Sequence, residues 1–396
     1  MNILKEYAQE QLLRFYNQLS KSQQSSLEKE IENTNFEQMN NLYINSKKDD
    51  SIDLKEITPI KYHIKKELNQ KETEEYLKLA NEILKKNKLC VLTMAGGQGS
   101  RLGVNGPKGT FKLNIDGTLK SLFEINCEKL IEANKQYNIE ILWLIMTSKE
   151  NNFQTQEFFK NNNYFGYPKN KIIFFTQDEI PVLDLNGKIL LEEKCKIKKA
   201  ANGNGDVFTA LSKNNIIEIL EKENIEYISF MGIDNILAKP IDLIFLGMMA
   251  YKKYEIASKS IFKESTLEKS AVFCNRKNKP YILDYNNISK ELSEEKARDG
   301  RYLYRDCNVL AHLMTLKAVK KVVEKDLPYH RVFRKTNALN QNGESTIQDS
   351  FKFEKFIFDA FSYFNDMLVL RIEKDEFMPI KNKEDIEIAI KEYNKK

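Results

Sequence analysis

The sequence predicts an α/β fold, a mixed sheet flanked by helices, and three observations carry that expectation. Leu89–Met94 is a short apolar run of the kind that forms a strand buried on both faces. It leads directly into a loop crowded with Gly96, Gly97, Gly99, Gly103, Gly106 and Gly109. Beyond that loop, strand-like and helix-like segments alternate as far as Glu373, which is the Rossmann-like signature of a sheet covered by helices. A chain of 396 residues with 41% hydrophobic content can fill one large or two medium cores.

Taken in order, residues 1–85 form an N-terminal helical segment. Leu12, Leu13, Phe15, Tyr16 and Leu19 mark one apolar stripe, and Leu27, Ile31 and Phe36 mark the next. Asn45 to Asp53 reads as a polar loop, and Glu72 to Lys86 as a helix entering the central strand. Residues 86–383 form the main domain. Its further strands are expected at Ile141 to Thr147, Lys171 to Gln177, Tyr227 to Gly232 and Met367 to Glu373. Helices are expected at Ser121 to Tyr137, Asn151 to Asn163, Asp206 to Glu223 and Asp242 to Tyr254. Residues 384–396 remain as a short tail.

The chemistry starts in the glycine loop. Glycine permits positive φ and close backbone approach, so a loop of this kind after a strand presents its N–H groups, here from Ala95, Gly96 and Gly97, as an anion-binding nest. Arg101 adds a planar fork suited to phosphate oxygens, and Lys108 adds a point charge. A purely flexible loop has no use for both cations. The spacing is neither a Walker loop, which needs Gly-Lys-Ser/Thr, nor a GxGxxG dinucleotide fingerprint, because Gly97, Gly99 and Gly103 give GxGxxxG.

Composition removes several function classes. The net charge of +5 is the small difference between 62 basic and 57 acidic residues, and no basic block tracks a nucleic acid. Five cysteines without CxxC spacing argue against a disulfide framework and structural zinc, and fit a reducing compartment. His63, His312 and His330 form no HExxH pair, so no transition-metal site is expected. No apolar run approaches the ~20 residues of a membrane span, and no signal-peptide core opens the chain, which makes the cytoplasm the expected location.

In sheets of this class ligands collect beyond the carboxyl ends of the strands. Gln177, after the Lys171 to Gln177 strand, offers an amide for the edge of a pyrimidine. Gly203, Asn204 and Gly205 form a second glycine turn before a helix, where backbone N–H groups can face a base or an anion. Asp234, after the Tyr227 to Gly232 strand, is the candidate Mg²⁺ ligand, since Mg²⁺ takes one or two carboxylates plus phosphate oxygens. No neighbouring cation in the sequence neutralises it.

The stretch AGGQGSRLGVNGPKG resembles the nucleotide-binding loop of the eukaryotic-type UDP-N-acetylhexosamine (UDP-N-acetylglucosamine) pyrophosphorylases, a branch of the UDP-sugar pyrophosphorylases. The resemblance extends from near Glu10 to Lys383 and implies the nucleotide-diphospho-sugar transferase type of fold. It implies that Asp234, in IDN, holds Mg²⁺, with Mn²⁺ as a substitute, and that Lys381, in DEFMPIKN, faces the nucleotide phosphates. It further implies that the Gly203–Gly205 turn contacts uracil and that Asn204, Asp284, Tyr285 and Asn308 contact the sugar. Five departures fall near the sugar. Asp206 stands where the branch has glycine, Asp284 where it has glutamate, and Cys307, Leu310 and Ala311 replace the glycine, alanine and second asparagine of a GNxANH motif. Phe356, Phe358 and Phe361, in a segment shared with the hexosamine branch, read as core residues. Typical relatives continue for roughly another hundred residues into a small C-terminal domain, so that domain is expected to be absent here, and a monomer is compatible.

The activity implied is uridylyl transfer. UTP and N-acetylglucosamine 1-phosphate give UDP-N-acetylglucosamine and pyrophosphate by Mg-assisted direct displacement, with Arg101, Lys108 and Lys381 steadying the phosphates. Asp206 and Asp284 leave open glucose 1-phosphate or several sugars as the acceptor. A non-catalytic nucleotide-sugar-binding regulator is the third reading, and the joint presence of Arg101, Lys108, Asp234 and Lys381 speaks against it.

Overall fold

In the computed structural model the described residues are 2–46, 52–265, 268, 270–285 and 287–395. They fall into two compact units that do not follow chain order. Residues 1–51, 178–206 and 327–357 make the first unit, and the rest of the chain makes the second. The segment expected as 1–85 is thus divided, with 52–85 belonging to the sheet unit. Part of the polar run Asn45 to Asp53, residues 47–51, lies outside the described residues.

The first unit packs helices Lys21–Glu32 and Phe36–Asn45 with a long antiparallel hairpin, His330–Leu339 against Ser345–Glu354. Leu12, Phe15, Leu27, Ile31 and Phe36 share one core with Leu183, Leu191 and Phe353. Of the apolar stripe, Leu12, Phe15 and Leu19 are buried and Leu13 and Tyr16 half-buried, and the stretch winds as short 3₁₀ turns at Glu10–Leu13 and Tyr16–Gln18 rather than as an α-helix. Gln9 anchors the start of this stretch, its side chain donating to Gly187 O and accepting from Ile189 N–H at 2.9 Å each.

The second unit carries a sheet of eleven strands, its main path running 63–64, 368–371, 256–262, 306–315, 227–232, 89–94, 142–147 and 172–176. Only Asp306–Thr315 on this path is antiparallel to its neighbours, so the sheet is mixed as expected. The four predicted strands after the glycine loop appear at Leu142–Thr147, Ile172–Thr176, Tyr227–Gly232 and Leu368–Arg371. Helices Leu122–Tyr137 and Asn152–Asn161 make the crossovers, the first fixed by a Ser121/Glu124 capping box. The helix expected from Asp206 to Glu223 breaks in two because Asn215 takes the left-handed conformation at φ 55°.

Strand order reverses beside Leu89–Met94: its chain-successor Leu142–Thr147 pairs on one side and Tyr227–Gly232 on the other, all in parallel. Such a switch point leaves a crevice beyond the carboxyl ends of the two central strands. Met94 and Gly232 end those strands in register, which brings the glycine loop and Asp234 to one place. No helix among the described residues is long and apolar enough to cross a membrane. Of the three phenylalanines read as core, Phe361 is fully buried while Phe356 and Phe358 are half-buried.

Candidate active site

The glycine loop is built by close packing. A Cβ at Gly96 would overlap Gln177 Nε2 and displace that amide, and one at Gly109 would overlap the Phe123 ring. The loop closes on itself through Gly99 N–H to Gly106 O at 2.8 Å and Lys108 N–H to Gly97 O at 3.0 Å, with Gly103 at φ 81°. Buried Asn151 steadies its entry by donating to Ala95 O at 3.1 Å. The N–H groups of Gly96 and Gly97 find no acceptor among the described residues, and the space beside Gly97 is open. Ala95 N–H, expected with them, is instead spent on Met146 O at 2.8 Å, because Ala95 still continues the strand pairing, so the open donors beside this space are those of Gly96 and Gly97, a candidate anion nest.

Gln177 lies over this loop, only 5% exposed, with its N–H on Thr147 O at 3.0 Å. Its side-chain Oε1 has no hydrogen-bond partner among the described residues. A buried amide oxygen left unpaired costs about 1–3 kcal/mol, which makes this atom a candidate acceptor for a ligand.

The charges differ from the expectation in one respect. Asp234 is not unpaired: Lys108 Nζ sits 2.8 Å from its Oδ2, both side chains largely buried. The loop, distant in sequence, folds over the strand end and brings the ammonium there. Arg101 is exposed and makes no ion pair among the described residues. Asp234 remains a fitting site for Mg²⁺, which needs one carboxylate when phosphates and water complete its oxygens. No group of three or more His, Cys, Asp or Glu among the described residues offers a denser cage.

A strap from the C-terminal region runs beside Asp234. Ile380 N–H donates to Asp234 O at 3.0 Å, Met378 N–H donates to Asn235 Oδ1 at 2.8 Å, and Asn235 Nδ2 donates to Glu376 O at 3.2 Å. Lys381, exposed, follows directly and is capped by Asp385, which accepts from its N–H at 2.7 Å. Lys383, which the sequence did not single out, reaches back over the glycine loop: its Nζ would lie 3.6 Å from a Cβ at Gly103.

The sugar candidates of this unit share a sheet edge. Val272 pairs with both Leu283 and Cys307, so Asp284 and Asn308 follow on strands either side of the Val272–Arg276 strand, about 9–10 Å apart by strand spacing. Asn308 Oδ1 accepts from Leu310 N–H at 3.1 Å, inside an irregular stretch where Leu310 has φ 50°. Tyr285 is 37% exposed.

The model of one family, described as UTP--glucose-1-phosphate uridylyltransferase, matches residues 33–393. The chain belongs to this family. UDP-N-acetylglucosamine pyrophosphorylase of Saccharomyces cerevisiae is 32% identical to it over 85% of this chain and 73% of the yeast protein. UDP-N-acetylglucosamine diphosphorylase 2 of Arabidopsis thaliana is 30% identical over 96% of this chain and 78% of the plant protein. Among solved structures, the UDP-N-acetylglucosamine pyrophosphorylase of Trypanosoma brucei, determined with an inhibitor, superposes with a TM-score of 0.82 at 25% identity, covering 98% of this chain and 82% of that one.

In the first unit the uridylyltransferase chain spends its second glycine turn on its own backbone. Gly205 N–H donates to Lys355 O at 2.9 Å and Asn204 Oδ1 accepts from Ile357 N–H at 3.0 Å. A Cβ at Gly203, where φ is 89°, would lie 2.6 Å from Lys355 O. Asp206, one of the departures from the hexosamine branch, is buried and accepts from Asp178 N–H at 2.7 Å, so it braces a loop of that unit. Burial pushes its carboxyl pKa up.

Sequence reasoning missed a cluster behind the strap. Lys259 Nζ lies 2.7 Å from Asp242 and 2.8 Å from Glu376, and Lys65 Nζ lies 2.7 Å from each. Alone, each residue reads as a surface charge; no short-range signal reveals the cluster.

Proposed function

We propose that this enzyme transfers the uridylyl group of UTP to N-acetylglucosamine 1-phosphate, giving UDP-N-acetylglucosamine and pyrophosphate. The single observation that carries the reading is the meeting of three features at the switch point: the two open amides of Gly96 and Gly97, the unpaired buried Oε1 of Gln177, and the Lys108–Asp234 pair. An imide N–H of uracil is the donor that Gln177 Oε1 lacks, and the adjacent amides take phosphate oxygens. The choice of sugar follows the yeast and plant relatives.

A phosphate oxygen of the sugar 1-phosphate attacks the α-phosphorus of UTP. The new P–O bond forms as the bond to the bridging oxygen breaks, and pyrophosphate leaves with that electron pair. The attacking phosphate, with a second pKa of about 6, is already ionised near neutral pH, so no general base is required. The protein aligns the two phosphates and neutralises charge on the leaving group. Arg101 and Lys108 hold the β- and γ-phosphates, and Lys381 steadies the α-phosphate or the sugar phosphate. Bound to Asp234, Mg²⁺ or Mn²⁺ would supply further charge neutralisation at the phosphates. Asp284, Tyr285 and Asn308 are proposed for the sugar hydroxyls, and Asn204 and Gly203 of the second glycine turn, whose Gly205 N–H is already spent on Lys355 O, for the sugar and uracil. All five cysteines are free, in keeping with the reducing cytoplasm proposed as the enzyme's location.

The test is pyrophosphate release from UTP with a panel of sugar 1-phosphates. N-acetylglucosamine 1-phosphate should give the highest kcat/KM. A preference for glucose 1-phosphate would shift the reading to the alternative acceptor, and no release with any sugar would reject the activity.

A further inference from the structure

We infer that Glu376 is a positioning residue for Lys381, acting through the strap that joins them, an inference that rests on the uridylyltransferase reading. Its carboxylate, 6% exposed, lies between three ammonium groups: Lys259 at 2.8 Å, Lys65 at 2.7 Å and Lys239 at 3.1 Å. The first two also hold Asp242 at 2.7 Å each, and Asp242 in turn caps helix Leu243–Tyr251 by accepting from Phe245 N–H at 3.2 Å. The cluster therefore ties the strap to the Ile256–Phe262 strand, to a helix N-terminus and to the turn at Lys65–Glu67.

From Glu376 onward the strap is bonded at alternate residues, 376, 378 and 380, to the segment Asp234, Asn235 and Ile236. Glu376 O accepts from Asn235 Nδ2, Met378 exchanges hydrogen bonds with Asn235 and Ile236, and Ile380 donates to Asp234 O. Lys381 is the next residue. Shifting Glu376 would move the strap whose Ile380, the residue before Lys381, is bonded to Asp234 O.

A buried ion cluster is a poor device for stability, because desolvation of its charges offsets most of their attraction, but it is a strict device for geometry. Every partner demands a specific distance, and an apolar filling of equal volume would not. This gives the cluster a use that packing alone does not require.

A double-mutant cycle tests the assignment. Glu376→Gln should lower kcat about 10-fold in the wild-type background and by less than about 2-fold in a Lys381→Ala background, since the lysine is then no longer there to be placed. A merely stabilising Glu376 would lower Tm and leave the two backgrounds with equal effects, which overturns the inference. Lys65→Gln, at the edge of the cluster, repeats the test should Glu376→Gln fail to fold. Hydrogen exchange supplies a readout independent of turnover: amides of 377–383 should exchange about 10-fold faster in either variant while those of Leu89–Met94 stay unchanged. Unchanged exchange in the strap rejects the inference, whereas absence of wild-type turnover with UTP rejects the functional reading instead.

Discussion

Lys108 and Asp234 stand 126 residues apart in the chain and 2.8 Å apart in the fold. The pair joins the glycine loop to the end of the neighbouring central strand, so each charge sets the electrostatic setting of the other. Lys108→Ala should lower kcat/KM at least ~100-fold, as loss of a group that meets developing charge does. Arg101→Ala, removing a cation with no partner among the described residues, should cost as much without disturbing Tm. Turnover within threefold of wild type for either variant would remove it from the phosphate cradle.

The metal dependence follows from the same carboxylate. Activity should require Mg²⁺ or Mn²⁺ and disappear on chelation. Asp234→Asn should raise the metal concentration needed for half-maximal rate and lower kcat by at least ~100-fold. Because the substitution also leaves Lys108 without its anion, part of the loss should persist at saturating metal. A titration in Asp234→Asn that overlays the wild type would remove Asp234 as a ligand.

The contact between Gly96 and Gln177 predicts base selectivity. Gln177→Ala should weaken the preference for UTP over ATP and GTP while leaving the fold intact. Gly96→Ala should do the same and more, since the added methyl overlaps the Gln177 amide and must displace it. Competition assays with the three triphosphates decide this; unaltered selectivity in both variants would place the base elsewhere.

Acid sensitivity should begin above the carboxylate range. Burial pushes the His312 imidazole from 6.5 down to about 3, with Nδ1 2.8 Å from Ser258 Oγ and Nε2 lacking a partner among the described residues. The unfolded chain therefore takes up a proton below about pH 6.5 that the native state refuses, so stability is full above 6.5 and falls as the pH is lowered, by up to roughly 1.4 kcal/mol per pH unit. Below 4.5 the carboxyl of Glu376, buried yet held down to about 2 by Lys259 and Lys65, adds to the loss. Asn at 312 should flatten Tm between pH 6.5 and 5, leaving the smaller slope from half-buried His63, whose pKa burial also lowers. Identical slopes in wild type and His312→Asn would contradict the assignment.

The sequence by itself determined the elements whose hydrophobic pattern is complete. Leu89–Met94, Leu142–Thr147 and Tyr227–Gly232 are apolar enough to announce themselves, and the glycines after Met94 announce a loop packed closely at Gly96 and Gly109. Tertiary structure decided the rest wherever a polar residue is buried by a partner far along the chain. Strands Ile256–Phe262 and Asp306–Thr315 escaped notice because Ser258, Lys259, Ser260, Asp306 and His312 read as surface, yet each is buried: Ser260 on Asp306 at 2.7 Å, Ser258 on His312, Lys259 on Asp242 and Glu376. The pairing of Asp234 with Lys108 was hidden for the same reason. Hydrophobic burial acts on each residue independently and leaves a periodic trace in the chain. A buried charge or hydrogen bond is satisfied only by its partner's position in space, and only the folded chain supplies that.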